Sequence, residues 1–166
     1  MSFKKVPSAA LVALLRERGL SLSCAESCTG GWFAKRVVDT PGASAVFLGG
    51  VVCYDTRIKR ELLGVSQKTL DKYTVYSTAV AEEMAAGVRK LTGSDLAVSV
   101  TGLASPPDMG DIPTGRVCIG VAEKGMTYAM SYDFRGDRQA IRRAAVLKMF
   151  EMLLEHIQDT KEKGEH

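Results

Sequence analysis

Histidine is almost missing from this 166-residue chain; the two present, His156 and His166, both lie near the C-terminal end. With none in the body of the sequence, Ser-His-Asp and Cys-His nucleophilic schemes have no base to work with. The same shortage bears on metals. Cys24 and Cys28 are spaced like zinc ligands, but a full set would need further thiolates and carboxylates, so no metal and no cofactor are expected. Long apolar runs are lacking too, and nothing approaches the roughly 20 residues that span a bilayer. Two early lysines followed by an apolar patch imitate a signal peptide. Arg16, Glu17 and Arg18 break that patch, and no small-residue cleavage site follows. An amphipathic helix in a cytoplasmic protein is the expectation, with no membrane partner. Nor is there a basic stripe: 22 Lys and Arg against 19 Asp and Glu leave a net charge of +3 spread along the chain. Nucleic-acid binders concentrate such charge, so no nucleic-acid partner is expected. The four cysteines sit in apolar, strand-like surroundings and read as reduced, buried thiols.

What is present is the composition of one globular domain over 1–166, 46% hydrophobic and 25% charged. Leu11, Leu14 and Leu15 mark a helix over 7–18, closed by Gly19. A short strand over 20–24 leads into a polar turn and a helix through Trp32, Phe33, Val37 and Val38. Residues 45–54 read as a buried strand, with Gly49-Gly50 marking a bulge or a close backbone approach. Asp55 or Thr56 caps a helix bearing Ile58, Leu62 and Leu63; Ser77 or Thr78 caps another over 78–91. Strands follow at 96–100, 117–121 and 127–132, the last two joined as a hairpin at Lys124-Gly125. Asp137 caps a final helix, and the charged tail from about Asp159 reads as frayed. Strands alternating with helices imply an α/β fold with a mixed, mostly parallel sheet covered on both faces; the hairpin reverses one strand.

Sheets of this kind bind ligands beyond the carboxyl ends of their strands. Three segments there are polar or contain glycine: Glu26-Ser27-Cys28-Thr29-Gly30-Gly31, Tyr54-Asp55-Thr56 and Thr101-Gly102. Ser27 sits on a strand-to-helix turn, where a hydroxyl lies beside free backbone N–H groups. Ser27 or Thr29 serves equally well as a helix cap. A serine nucleophile needs a base, and without histidine the candidate is a lysine. Lys59 falls in the first turn of its helix, where the dipole disfavours an ammonium group, and burial would act in the same direction. Alternatively it is a solvated charge like Arg57 and Lys68. Tyr54 either bonds into such a site or packs, and Ser44 either relays a proton or caps a turn.

Longer stretches tie these residues together. Ala25-Glu26-Ser27-Cys28-Thr29-Gly30-Gly31, Pro41-Gly42-Ala43-Ser44, Gly49-Gly50-Val51-Val52 with Tyr54, Lys59 and Leu63-Gly64-Val65, Val98 to Ala104, and Gly136-Asp137-Arg138 with Arg142 resemble, in register, the motifs of the CinA C-terminal domain family. The resemblance runs nearly end to end. It implies a three-layer α/β/α fold of about five or six strands and metal-free hydrolysis of nicotinamide mononucleotide to the acid mononucleotide and ammonia. Its partner would be that small-molecule nucleotide substrate, and the chain would pair as a homodimer, as relatives often do. Carried over by position, Ser27 attacks the carboxamide and Lys59 takes its proton, with Ser44 and Tyr54 on the proton path. Thr29, Gly30, Gly31, Thr101 and Gly102 would line the substrate, and Arg138 or Arg142 would bind phosphate or orient the site. Ser44 as the nucleophile is the other division of roles. The chain departs from the family at Ser105 to Gly115: a glycine-rich GPGGG loop is replaced by Ser105-Pro106-Pro107-Asp108-Met109, and Ile112 stands where a lysine is common. Asp108 and Asp111 there would repel a phosphate. A catalytically inactive relative that binds a nucleotide or a protein partner is therefore the competing reading.

Overall fold

The computed structural model describes residues 7–164, so the N-terminal lysines and His166 lie outside the described residues. The chain runs α1 (Pro7–Arg18), β1 (Leu22–Glu26), α2 (Trp32–Val38), a 3-10 turn (Ala43–Ala45), β2 (Phe47–Val52) and α3 (Thr56–Leu63). It continues through α4 (Gln67–Tyr73), α5 (Thr78–Thr92), β3 (Leu96–Gly102), β4 (Arg116–Glu123), β5 (Met126–Asp133) and α6 (Arg138–Gly164). The strands form one sheet in the order β2-β1-β3-β4-β5. β2 and β3 flank β1 in parallel, β4 opposes β3, and β5 opposes β4. Only β4 therefore points against the rest, which is the reversal a hairpin imposes.

Strand alternation divides the core between the two faces. Leu22, Cys24, Val98, Val100 and Ile119 join Leu11, Leu15, Phe33, Phe150 and Leu153, so α1, α2 and α6 cover one face. Ala25 and Ala97 join Leu63, Val80, Met84 and Val88, so α3 and α5 cover the other. That second face is built of small residues, which lets α5 lie close. The Ser99 hydroxyl donates to the Ala81 carbonyl, and a Cβ on Gly120 would collide with the same oxygen. Helix starts agree with the expected caps: Asp55 accepts from the Arg57 amide at 2.7 Å and Ser77 from the Val80 amide at 3.2 Å.

Two expectations change, and one helix, α4, has no counterpart among them. The 45–54 segment is not a buried strand. Its first residue belongs to the 3-10 turn, and β2 lies at the sheet edge, where Leu48 and Val52 are each 54% exposed. α4 carries little apolar signal, because Leu70 is the single large aliphatic residue in its Gln-Lys-Thr-Leu-Asp-Lys-Tyr sequence. It is held instead by its Ser66 cap and by Glu83, which accepts from the Thr69 hydroxyl at 2.7 Å. The tail from Asp159 is helical through Gly164, past Ile157, the last residue of α6 described as buried; Lys and Glu are good helix formers. Among the described residues no helix is long and apolar enough to cross a membrane.

Gly49-Gly50 marks both of its suggested features. The β1–β2 register shifts between Leu22 and Ser23, which pair with Phe47 and Gly49 and leave Leu48 as the extra residue of a bulge. A Cβ on Gly50 would lie 2.5 Å from both the carbonyl oxygen and Sγ of Cys24. Gly50→Ala is therefore expected to cost about 1–3 kcal/mol through overpacking, read from the midpoint of urea unfolding; an unchanged midpoint would show that the contact is slack.

Candidate active site

The carboxyl ends of β1, β2, β3 and β5 lie along one edge of the sheet. The chain leaving them supplies Ser27, Tyr54, the Gly102–Ser105 segment and Arg138, which line a cleft of about 140 Å³ together with Cys28, Thr56, Val75 and Tyr76. A wider groove of about 650 Å³ lies between β5 and α6, lined by Met126, Tyr128, Met130 and His156 among others. It is larger, and there the Tyr128 hydroxyl lies 3.3 Å from His156 Nδ1 and His156 Nε2 lies 3.1 Å from Glu123, but its described lining has neither serine nor cysteine. The smaller cleft is the one that joins Ser27 to a lysine.

Lys59 reaches that cleft from inside. Its side chain is 1% exposed, and Nζ lies 2.9 Å from Ser27 Oγ, 2.6 Å from the Cys53 carbonyl oxygen and 3.3 Å from that of Tyr54. Burial pushes the Lys59 pKa below its ordinary value, against weaker opposing effects of Cys53, Cys28 and Asp55. A neutral amine has two hydrogens and one lone pair. In that form the two carbonyls would accept the hydrogens and the lone pair would face the Ser27 hydroxyl. Cys28 lines the same cleft, but burial raises its thiol to about 12, so it stays protonated and is no rival nucleophile.

The turn carrying Ser27 is fixed from three sides. The Ser27 amide donates to the Val100 carbonyl at 3.1 Å. Glu26, 1% exposed, accepts from the Thr29 hydroxyl at 2.6 Å and from the Phe33 and Ala34 amides at 2.9 and 3.0 Å. It thus supplies the helix cap that Gly31, at the N-cap position of α2, has no side chain to give. Arg142, on α6, donates from Nε to the Cys28 carbonyl at 2.9 Å and from Nη2 to the Thr29 carbonyl at 3.0 Å, with its guanidinium over the Trp32 ring. Because peptides are planar and trans, holding these carbonyls turns the following amides the other way. Gly30 N–H is spent on the Ser27 carbonyl at 3.1 Å. The Cys28 and Thr29 amides have no acceptor among the described residues.

The structure thus brings together Ser27, Lys59, Tyr54, Gly102 and Arg138, and gives the other expected residues different work. Ser44 is exposed on the 3-10 turn, in a separate hollow with Val38, Pro41 and Phe47. It precedes β2 whereas Tyr54 comes after it, and a six-residue strand sets the two roughly 20 Å apart; Ser44 is neither nucleophile nor relay. The Thr29 hydroxyl is turned onto Glu26, and that of Thr101 donates to the Val75 carbonyl at 2.9 Å. Arg142 places three of its five N–H bonds on the turn and on Gln139, so in this structure it braces the turn from α6. Gly30 and Gly31 matter for backbone shape, with φ of 60° and 95°. The Tyr54 ring is 62% exposed, and its hydroxyl accepts from Arg138 Nη2 at 3.1 Å. Asp108 folds back onto its own loop, accepting from the Thr114 amide at 2.6 Å, and neither it nor Asp111 is among the described residues that line the cleft.

Sequence alone does not single out Glu26, although a carboxylate directly before a strand-to-helix turn matches what a helix N-terminus attracts. Val75 and Tyr76 carry no such signal. Glu26→Ala is expected to lower stability by about 2–3 kcal/mol, because it leaves buried amides unpaired, whereas Glu26→Gln keeps an acceptor and should lose less. Equal denaturation midpoints for the two variants would show that Glu26 caps nothing.

A family model for the CinA C-terminal domain matches residues 5–157. A CinA-like protein of Geotalea uraniireducens is 47% identical over 133 residues, 80% of this chain and 32% of that protein. One of Thermotoga neapolitana is 41% identical over 157 residues, 93% of this chain and 37% of that protein. The chain therefore spans about a third of the length of these relatives. A solved structure of a competence-damaged protein (CinA) superfamily protein from Klebsiella pneumoniae has a TM-score of 0.89 at 30% identity, covering 92% of this chain and 96% of that one.

Proposed function

The chain belongs to the CinA C-terminal domain family, and on that premise we propose that it hydrolyses the carboxamide of nicotinamide mononucleotide, releasing ammonia and the acid mononucleotide. The observation that carries the reading is the 2.9 Å contact between Ser27 Oγ and a Lys59 amine shut away from water. In the first half of the reaction, Ser27 Oγ attacks the carboxamide carbon and its proton passes to Nζ. Charge builds on the amide oxygen, for which the Cys28 and Thr29 amides, without an acceptor among the described residues, are candidate donors. Nζ then gives its proton to the departing nitrogen, and ammonia leaves an ester on Ser27. In the second half, water attacks that ester, Lys59 takes the water proton, and the proton returns to Ser27 as the acid departs.

The shape of the cleft supports a substrate of this class. Its volume of about 140 Å³ is small beside the roughly 300–1,000 Å³ of pockets that enclose a whole ligand. A flat ring bearing the carboxamide would enter, and an anionic remainder would stay at the mouth near Arg138. No carboxylate is among the described lining residues.

Ser27→Ala and Lys59→Ala should each reduce ammonia release from nicotinamide mononucleotide by about a thousandfold or more, with substrate binding by calorimetry retained in Ser27→Ala. Activity surviving in both would remove the assignment. Because burial lowers the Lys59 pKa, kcat/KM should rise with pH and reach its plateau below the ordinary lysine value of 10.5. The depressed pKa also means that the unfolded chain binds the extra proton between the two values. Wild-type stability relative to Lys59→Met should therefore grow as pH climbs through that window; a pH-independent difference would contradict the buried neutral amine. The second reading, a nucleotide binder without turnover, rests on the altered 105–114 segment. Calorimetric binding together with undetectable ammonia release by the wild type would select it.

A further inference from the structure

Arg138 opens α6 at the cleft mouth, and its two terminal nitrogens reach hydroxyls on two different loops. Nη1 donates to Ser105 Oγ at 2.6 Å, after β3, and Nη2 donates to the Tyr54 hydroxyl at 3.1 Å, after β2. Among the described residues no carboxylate pairs with this guanidinium. Of its five N–H bonds, two go to neutral acceptors and three remain. The cation is therefore fixed in direction but not neutralised, and it still presents donors with the fork geometry that suits an oxyanion. Ser105 opens the segment in which this chain departs from the glycine-rich pattern, and a glycine there would have no hydroxyl to offer.

We propose that Ser105, with Tyr54 as the second support, is a positioning residue that sets the Arg138 guanidinium across the cleft mouth to receive the anionic, phosphate-type end of the substrate. The proposal rests on the amidohydrolase reading for the chemistry after binding, but the anion subsite itself does not require turnover. Preorganisation is the physical gain: a free arginine side chain must be immobilised when the anion arrives, whereas this one is already held. Tyr54 acts here through its hydroxyl on Arg138 and not on the proton path, since only its backbone carbonyl meets Lys59.

The test separates anionic from neutral ligands. With nicotinamide mononucleotide, Ser105→Ala should raise KM about five- to tenfold at unchanged kcat, the loss expected for one hydrogen bond. With nicotinamide riboside, which lacks the phosphate, KM should not move, and Ser105→Thr should restore the wild-type value. A merely structural role would shift both substrates or kcat, and either result overturns the proposal. To keep the outcome apart from that of the hydrolase reading, inorganic phosphate is titrated into Ser27→Ala protein by calorimetry. Phosphate should bind, bind several-fold more weakly when Ser105→Ala is added, and not bind when Arg138→Ala is added. An affinity unaffected by either second substitution, or no phosphate binding at all, removes the subsite whether or not ammonia is ever released.

Discussion

The candidate site depends on keeping one lysine dry. An ammonium group in water holds its proton too firmly to serve as a base near neutral pH; the same group 1% exposed has lost the solvent that stabilised its charge. The fold achieves this by placing Lys59 one turn into α3, just behind the end of β2, where the Cys53 and Tyr54 carbonyls accept its hydrogens without supplying a counter-charge. A carboxylate at that distance would have raised the pKa again. Burial lowers the pKa of the amine, and the two backbone carbonyls give it a direction, toward Ser27.

The rest of the architecture serves the other half of that pair. Ser27 lies on a turn whose glycines allow the backbone to bend but supply no side chain to stiffen it. Rigidity comes from outside the turn: Glu26 from below, Arg142 from the opposite end of the chain, and the β3 carbonyl of Val100 from the side. The buried carboxylate and the buried amine are thus segregated. Glu26 faces the start of α2 and Lys59 faces the cleft, so the acid steadies the frame without quenching the base.

Most of the fold is legible in the sequence, because apolar periodicity and caps such as Asp55 and Ser77 are local signals. The sheet edge is not. Residues 45–54 are apolar enough to be central, yet β2 is flanked on one side only. Ser27 and Lys59 are legible through motif spacing and the absence of histidine. Ser44 misleads because it is near Tyr54 in sequence, and a strand carries its two ends to opposite edges of a sheet. Thr101 misleads because alternation turns its hydroxyl onto the α4–α5 connection. Arg142 can be placed beside the site but not given its task, since nothing in sequence says whether a guanidinium will meet a ligand or the protein's own carbonyls.

The Arg142 clamp has a consequence for how the protein comes into being. Its partners Cys28 and Thr29 lie 114 and 113 residues upstream. During synthesis the turn and its serine leave the ribosome long before the arginine that holds them, which lies on α6. A partly synthesised chain, even one whose sheet has begun to pair, lacks the brace that shapes the amide donors beside Ser27. The turn that carries Ser27 therefore acquires its brace only once α6 is in place.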